Sequence, residues 1–126
     1  QTCALPILLP AYNDYVAKSQ TSEPFTLMEG TKTAVAEACQ VAGSCTGAVT
    51  TTNFQTAVGK YSSVAAPSAD GQVVATMYAA ASGVNTGIAN ATFTITPVLG
   101  SASVVWSCAS SLTGTPGAKF IPKACS

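Results

Sequence analysis

Residues able to carry acid–base or nucleophilic chemistry are few in this chain. Its five carboxylates are Asp14, Glu23, Glu29, Glu37 and Asp70, and the first four belong to one helix-forming stretch near the beginning. Histidine is absent, which removes the commonest general base and metal ligand. Arginine is also absent, and arginine is the side chain that grips phosphates and guanines bidentately. Serine and threonine are abundant, but no histidine or placed lysine stands ready to activate one. The residues therefore compose no catalytic set, no metal site, no cofactor site and no dedicated nucleic-acid site; the expectation is a non-enzyme. The carboxylates read as groups that solvate the helix or meet neighbouring molecules. Asp14 and Lys18, four apart, could pair for roughly 0.2–0.5 kcal/mol.

Cysteine is the other reactive type. Five in a small chain point to oxidised pairs and an exported location. Cys39 and Cys45 are close in sequence, as are Cys108 and Cys125, so neighbour pairing is the simplest of the three arrangements open to these four. Each such bridge would contribute roughly 2–3 kcal/mol through loop-closure entropy. A zinc site is the competing use of cysteine, but no C-x-x-C pair supports it. Cys3 is left over.

At 126 residues the chain can build one core. It is 48% hydrophobic and only 8% charged, against about 25% charged in ordinary soluble chains. So bare a surface is either covered, by neighbours in an assembly or by sugar, or kept soluble by Ser, Thr, Asn and Gln. The longest near-apolar run, Ala4 to Ala11, contains Pro6 and Pro10 and is too short to cross a bilayer. The opening Gln1–Ile7, QTCALPI, does not match the rest of the chain. It reads as a non-native extension, a translated sequencing adaptor or cloning scar, and leaves residues 8–126 as the single domain.

The elements that must position these groups follow from composition and period. From about Pro10 to Ala38, Ala, Leu, Met, Glu, Lys and Gln predict a helix. Leu27, Met28, Thr31, Ala34, Val35 and Ala38 supply its apolar face. Pro24 predicts a kink or short break near Thr21–Pro24, with Ser22 capping the restarted segment. Gly43 and the Cys39–Cys45 loop around it end the helix. Four strands are then expected, over 60–66, 72–79, 91–96 and 102–108. The first pair is linked by a turn holding Asp70-Gly71, and Pro97 to Ser101 forms another turn. Thr92-Phe93-Thr94-Ile95-Thr96 alternates cleanly, as a half-buried antiparallel strand does. The expected fold is α+β: an N-terminal amphipathic helix on a four-stranded antiparallel sheet, the region 108–125 forming a disulfide-closed C-terminal loop.

Both ends of the chain resemble one family. Pro10-Ala11-Tyr12-Asn13-Asp14-Tyr15-Val16-Ala17-Lys18-Ser19-Gln20, followed by Ser22-Glu23 and Glu29-Gly30-Thr31-Lys32-Thr33, is similar to the amphipathic half of the type IVa pilin helix. Trp106-Ser107-Cys108 and Phe120-Ile121-Pro122-Lys123-Ala124-Cys125-Ser126 resemble the pilin C-terminal disulfide region. The resemblance covers nearly everything from Leu8 onward. It implies a ladle-shaped subunit of a helical filament on the bacterial surface, held in the inner membrane before assembly. It also implies that a leader and the hydrophobic half of the helix are missing from this sequence. The implied roles are surface adhesion, twitching motility and DNA uptake. The implied partners are identical subunits, the assembly machinery and host-surface glycans, with membrane contact only through the missing segment. Alternatives are a minor pilin acting as adhesin or DNA-binding module, and a type II secretion pseudopilin, against which the sequence around Cys125 argues.

Site expectations follow from that resemblance. Tyr12, Asp14, Tyr15 and Lys18 form the subunit-contact end of the helix. The C-terminal loop offers a receptor-facing surface: Thr113, Gly114, Thr115, Pro116 and Gly117 as its exposed tip, with Lys119 and Lys123 its charges. Ser126 matches a position that carries an O-linked sugar in some relatives. Asn90-Ala91-Thr92 fits an N-glycosylation acceptor, an accidental match in a bacterial pilin.

Overall fold

The computed structural model describes residues 5–114 and 117–125. Cys3 and the start of the supposed extension, together with Thr115, Pro116 and Ser126, lie outside them. One helix, α1 (Leu5–Ala42), leads into a sheet of five strands: β1 (Ala57–Val58), β2 (Ser62–Val64), β3 (Val73–Met77), β4 (Thr92–Leu99) and β5 (Val104–Ser110). The strands lie side by side in chain order and every neighbouring pair is antiparallel. The expected meander is present with five strands instead of four. The added strand is the two-residue β1, whose Ala57 opposes Val64, too short to leave a period in the sequence.

The helix packs along the inner face of the sheet. Its buried line is Ala17, Thr21, Pro24, Met28, Val35 and Cys39, at steps of three, four or seven. This corrects the expected face: among the described side chains it reaches back to Ala17 rather than starting at Leu27, and Ala34 is exposed. Opposite stand Val73, Ala75 and Met77 of β3 with Phe93 and Ile95 of β4. The alternation read in β4 holds, with Phe93, Ile95 and Pro97 inward and the threonines outward. Phe25 of α1 meets Phe93 with ring centroids 5.1 Å apart and planes tilted by 59°. A smaller cluster, Val35, Cys39 and Val49, closes the far end.

No break occurs at Pro24. The helix continues through it because the proline ring is fully buried on the core side, where packing offsets a lost hydrogen bond costing about 3 kcal/mol. Ser22 does not cap a new segment. Its hydroxyl donates back to the Ser19 carbonyl at 2.7 Å, and the Thr21 hydroxyl donates to the Lys18 carbonyl at 2.9 Å.

The helix ends at Ala42, four residues beyond the expected Ala38. Gly43, at φ +70°, donates to the Gln40 carbonyl, and Ser44 donates to the Cys39 carbonyl, a Schellman stop. The Cys39–Cys45 bridge spans this stop with a Cα separation of 4.4 Å.

Two turns behave differently. The expected turn at Asp70-Gly71 is present, Gly71 taking φ +77° and donating to the Ser68 carbonyl. Pro97 does not turn the chain; it lies inside β4 opposite Trp106. The β3 ladder has ended at Ile95, so only β5 pairs at Pro97, and proline is tolerated where pairing is one-sided.

Candidate functional site

Helix α1 carries polar side chains that hold it to the body. The Glu23 carboxylate lies against the β1–β2 turn, accepting from the Tyr61 N–H at 2.8 Å, the Ser62 hydroxyl at 2.8 Å and the Lys60 N–H at 3.1 Å. Burial alone would raise its pKa. The backbone donors of Tyr61, Lys60 and Ser62 and the Ser62 hydroxyl outweigh that, and hold it below the ordinary carboxylate value. The turn is shaped for it: a Cβ on Gly59 would come within 2.6 Å of Glu23 Cδ. Gln20, only 5% exposed, donates to the Gly83 carbonyl at 2.9 Å and accepts from the Asn85 N–H at 2.7 Å. Asn85 in turn donates to the Asn13 carbonyl at 3.3 Å.

Asp14 makes a third tie. Its carboxylate pairs with Lys119, at 2.8 Å to one oxygen and 2.9 Å to the other, and not with Lys18. Helix position 14 is thereby joined to the segment after β5. The expectation that the acidic side chains merely solvate the helix fails at Glu23 and Asp14. Asp70 likewise accepts from the Gly47 N–H at 2.9 Å. None of these partners lies near its carboxylate in sequence. The one local sign was phase: Gln20 and Glu23 flank the buried line of Ala17, Thr21 and Pro24, where an unpartnered polar group would be costly.

Ahead of Ala17 the helix leaves the sheet. Leu9, Tyr12 and Tyr15 are 53%, 63% and 71% exposed, at three-residue steps that place them along one side. Lys18 is exposed. The structure thus brings the expected contact residues into one projecting region, except that Asp14 is engaged within the chain.

The C-terminal loop is closed as expected by Cys108–Cys125, with a Cα separation of 4.7 Å. Thr113 and Gly114 are exposed. Gly117 is buried, contrary to its place in the expected tip: it begins the 3-10 turn Gly117–Phe120, and a Cβ added there would meet Leu112 at 3.5 Å. Lys119 is tied to Asp14 and lies 4.9 Å from the Phe120 ring centroid, so it is not a freely presented charge. Lys123 is exposed.

Among the described residues no three His, Cys, Asp or Glu side chains gather as metal ligands, and no helix is long and apolar enough to cross a membrane.

Comparison with known proteins adds to this geometry. A family model described as pilin (bacterial filament) matches residues 17–126. The fimbrial protein EcpC of Eikenella corrodens is 35% identical over 128 aligned positions, covering 94% of this chain and 76% of that protein. A fimbrial protein of Moraxella nonliquefaciens is 59% identical over 29 residues, 23% of this chain and 19% of its own length.

Proposed function

The chain belongs to the pilin family of bacterial filament proteins, and from that premise we propose that it is a major subunit of a type IV pilus serving surface adhesion, twitching motility and DNA uptake. Subunits wait in the inner membrane and are added to a filament exposed outside the cell. Tyr12 and Tyr15 contribute to the contact between copies, and the disulfide-closed loop is turned outward.

The observation that carries this reading is the projecting start of α1. Leu9, Tyr12 and Tyr15 present an apolar stripe that the described residues leave exposed. Burying a tyrosine or leucine against a neighbour is worth about 1.5–3 kcal/mol, and repeated head-to-tail contacts of one face on another build open helical polymers. The aromatic bodies supply area while their hydroxyls tolerate a wet boundary.

The test is complementation of a pilin-deletion strain with the full gene, followed by electron microscopy and assays of surface spreading. Tyr12→Ser with Tyr15→Ser should sharply reduce filament number while leaving the isolated body folded, because no core residue is touched. Filaments as numerous as those of the unaltered protein would refute the assignment of these two residues. Labelling confined to filament tips would refute the major-subunit reading.

A further inference from the structure

The five lysines and five carboxylates of this chain all lie among the described residues, and most are engaged. Asp14 holds Lys119, Glu29 holds Lys32, and Glu23 and Asp70 accept from backbone N–H groups. Lys60 lies 5.0 Å from the Tyr61 ring centroid, and Lys123 has a partner of its own. Among the described residues that leaves one cation, Lys18, and one anion, Glu37, both exposed and both on α1. They stand about 28 Å apart along the helix, at a rise of about 1.5 Å per residue, so one chain cannot join them. Glu37 borders an open groove of about 670 Å³ between α1 and the connection that follows it, lined also by Gly30, Thr31, Val41 and Phe54. The groove has room: Val41 is 85% exposed, and a Cβ on Gly30 would find nothing within 4 Å.

We propose that Lys18 of one subunit pairs with Glu37 of a second copy, and that the tyrosines of the first lie in the groove of the second. This rests on the filament reading above and names the surface that the projecting helix meets. With the two helices pointing the same way, seating Lys18 at Glu37 brings Tyr15 level with Ala34 and Tyr12 level with Thr31, beside the opening at Gly30. A single register therefore serves both the charge pair and the rings. Phe54 offers an aromatic contact, and Thr31 and Gln55 line the same groove with partners for tyrosine hydroxyls. Opposite charges across a contact fix its register, and like charges set against each other are costly, so the pair selects this seating over its neighbours. The contact is heterologous. Each subunit keeps a free groove toward one end of α1 and a free stripe at the other, so the contact repeats into an open polymer. Copies joined in this way are offset by about 28 Å along the helix direction.

The full gene is expressed in a pilin-deletion strain with the two charges reversed singly and together, and filaments are counted by electron microscopy. Lys18→Glu and Glu37→Lys should each lower filament number about tenfold, the scale of one charge contact turned to repulsion. The double variant, with the charges exchanged, should recover most of the loss. Such recovery separates pairing from a merely structural role of either residue. Gly30→Trp fills the groove from a position with room for the side chain, and should also lower filament number. Circular dichroism of each purified variant should show it folded. Filaments from the unaltered gene without recovery in the double variant, or undiminished filaments in Lys18→Glu or Gly30→Trp, would overturn this pairing and leave the filament reading standing. Loss in Glu37→Lys with none in Lys18→Glu would assign the groove to a cation of another protein, and overturn it likewise. No filaments from the unaltered gene would overturn both readings.

Discussion

Glu23 is the residue whose loss should tell most about how this subunit holds together. In Glu23→Ala, the Lys60 and Tyr61 amides and the Ser62 hydroxyl lose their acceptor. Ser62 is fully buried, so water does not readily replace the carboxylate there, whereas the exposed Lys60 can be rehydrated. Hydrogen bonds to charged groups contribute about 1.5–3 kcal/mol each, and a rehydrated donor recovers most of its share. The expected loss is therefore about 2–4 kcal/mol. Glu23→Gln keeps one acceptor oxygen but turns an amide donor toward one of the donors it should receive, and should cost about 1–2 kcal/mol.

The charge adds a pH signature. Glu23 has a folded pKa below its unfolded value, so between the two the unfolded chain binds more protons and stability rises with pH. The contribution is complete above the unfolded value of about 4.3 and disappears as pH falls through the folded one. Urea unfolding followed by Trp106 fluorescence, from neutral pH to below the carboxylate range, measures this. The gap between the unaltered protein and Glu23→Gln should be full at pH 7 and close as acid is added. Equal midpoints at pH 7, or a gap that persists unchanged into strong acid, would refute the account of Glu23 as a charged clasp. Glu37→Gln, altering an exposed position, serves as the control and should shift nothing.

Two further outcomes can be checked in the same unfolding assay. Gly71→Ala should destabilise by about 1–3 kcal/mol, because φ is +77° and a Cβ would lie 2.7 Å from Val35 and 2.9 Å from Pro97. Replacing both Cys108 and Cys125 by serine should cost about 3 kcal/mol, with hydrogen exchange rising most over residues 117–125.

Much of this fold can be read from local pattern. The Thr92–Thr96 alternation gives β4 its two faces, Asp70-Gly71 gives the turn, and the short spacings give both disulfides. These signals are legible because each is settled within a few residues. The misreadings share the opposite property. Whether Pro24 breaks a helix depends on what its ring is buried against, and that is the sheet, far off in sequence. Pro97 stays in its strand because a neighbouring strand has already stopped. Gly117 is buried because Leu112 folds over it. Glu23 meets donors 37 to 39 residues away, a distance at which no spacing rule operates. Of the candidate contact residues, the exposed tyrosines could be read from helical phase, whereas the tie of Asp14 to Lys119 could not, since it joins α1 to the segment after β5.

The ties at Gln20 and Glu23 have a consequence for anything built from many copies. A helix of 38 residues is a rod about 57 Å long, and each residue advances about 100° around its axis. Gln20 and Glu23 set both the depth to which the rod is seated and its azimuth, as a key and slot fix a shaft. A slip of one position at the Glu23 clasp would swing Tyr12 and Tyr15 more than a quarter-turn away from the direction in which they now point. The screw symmetry of a polymer is in this way written partly into one carboxylate and one amide that hold each helix to its own body.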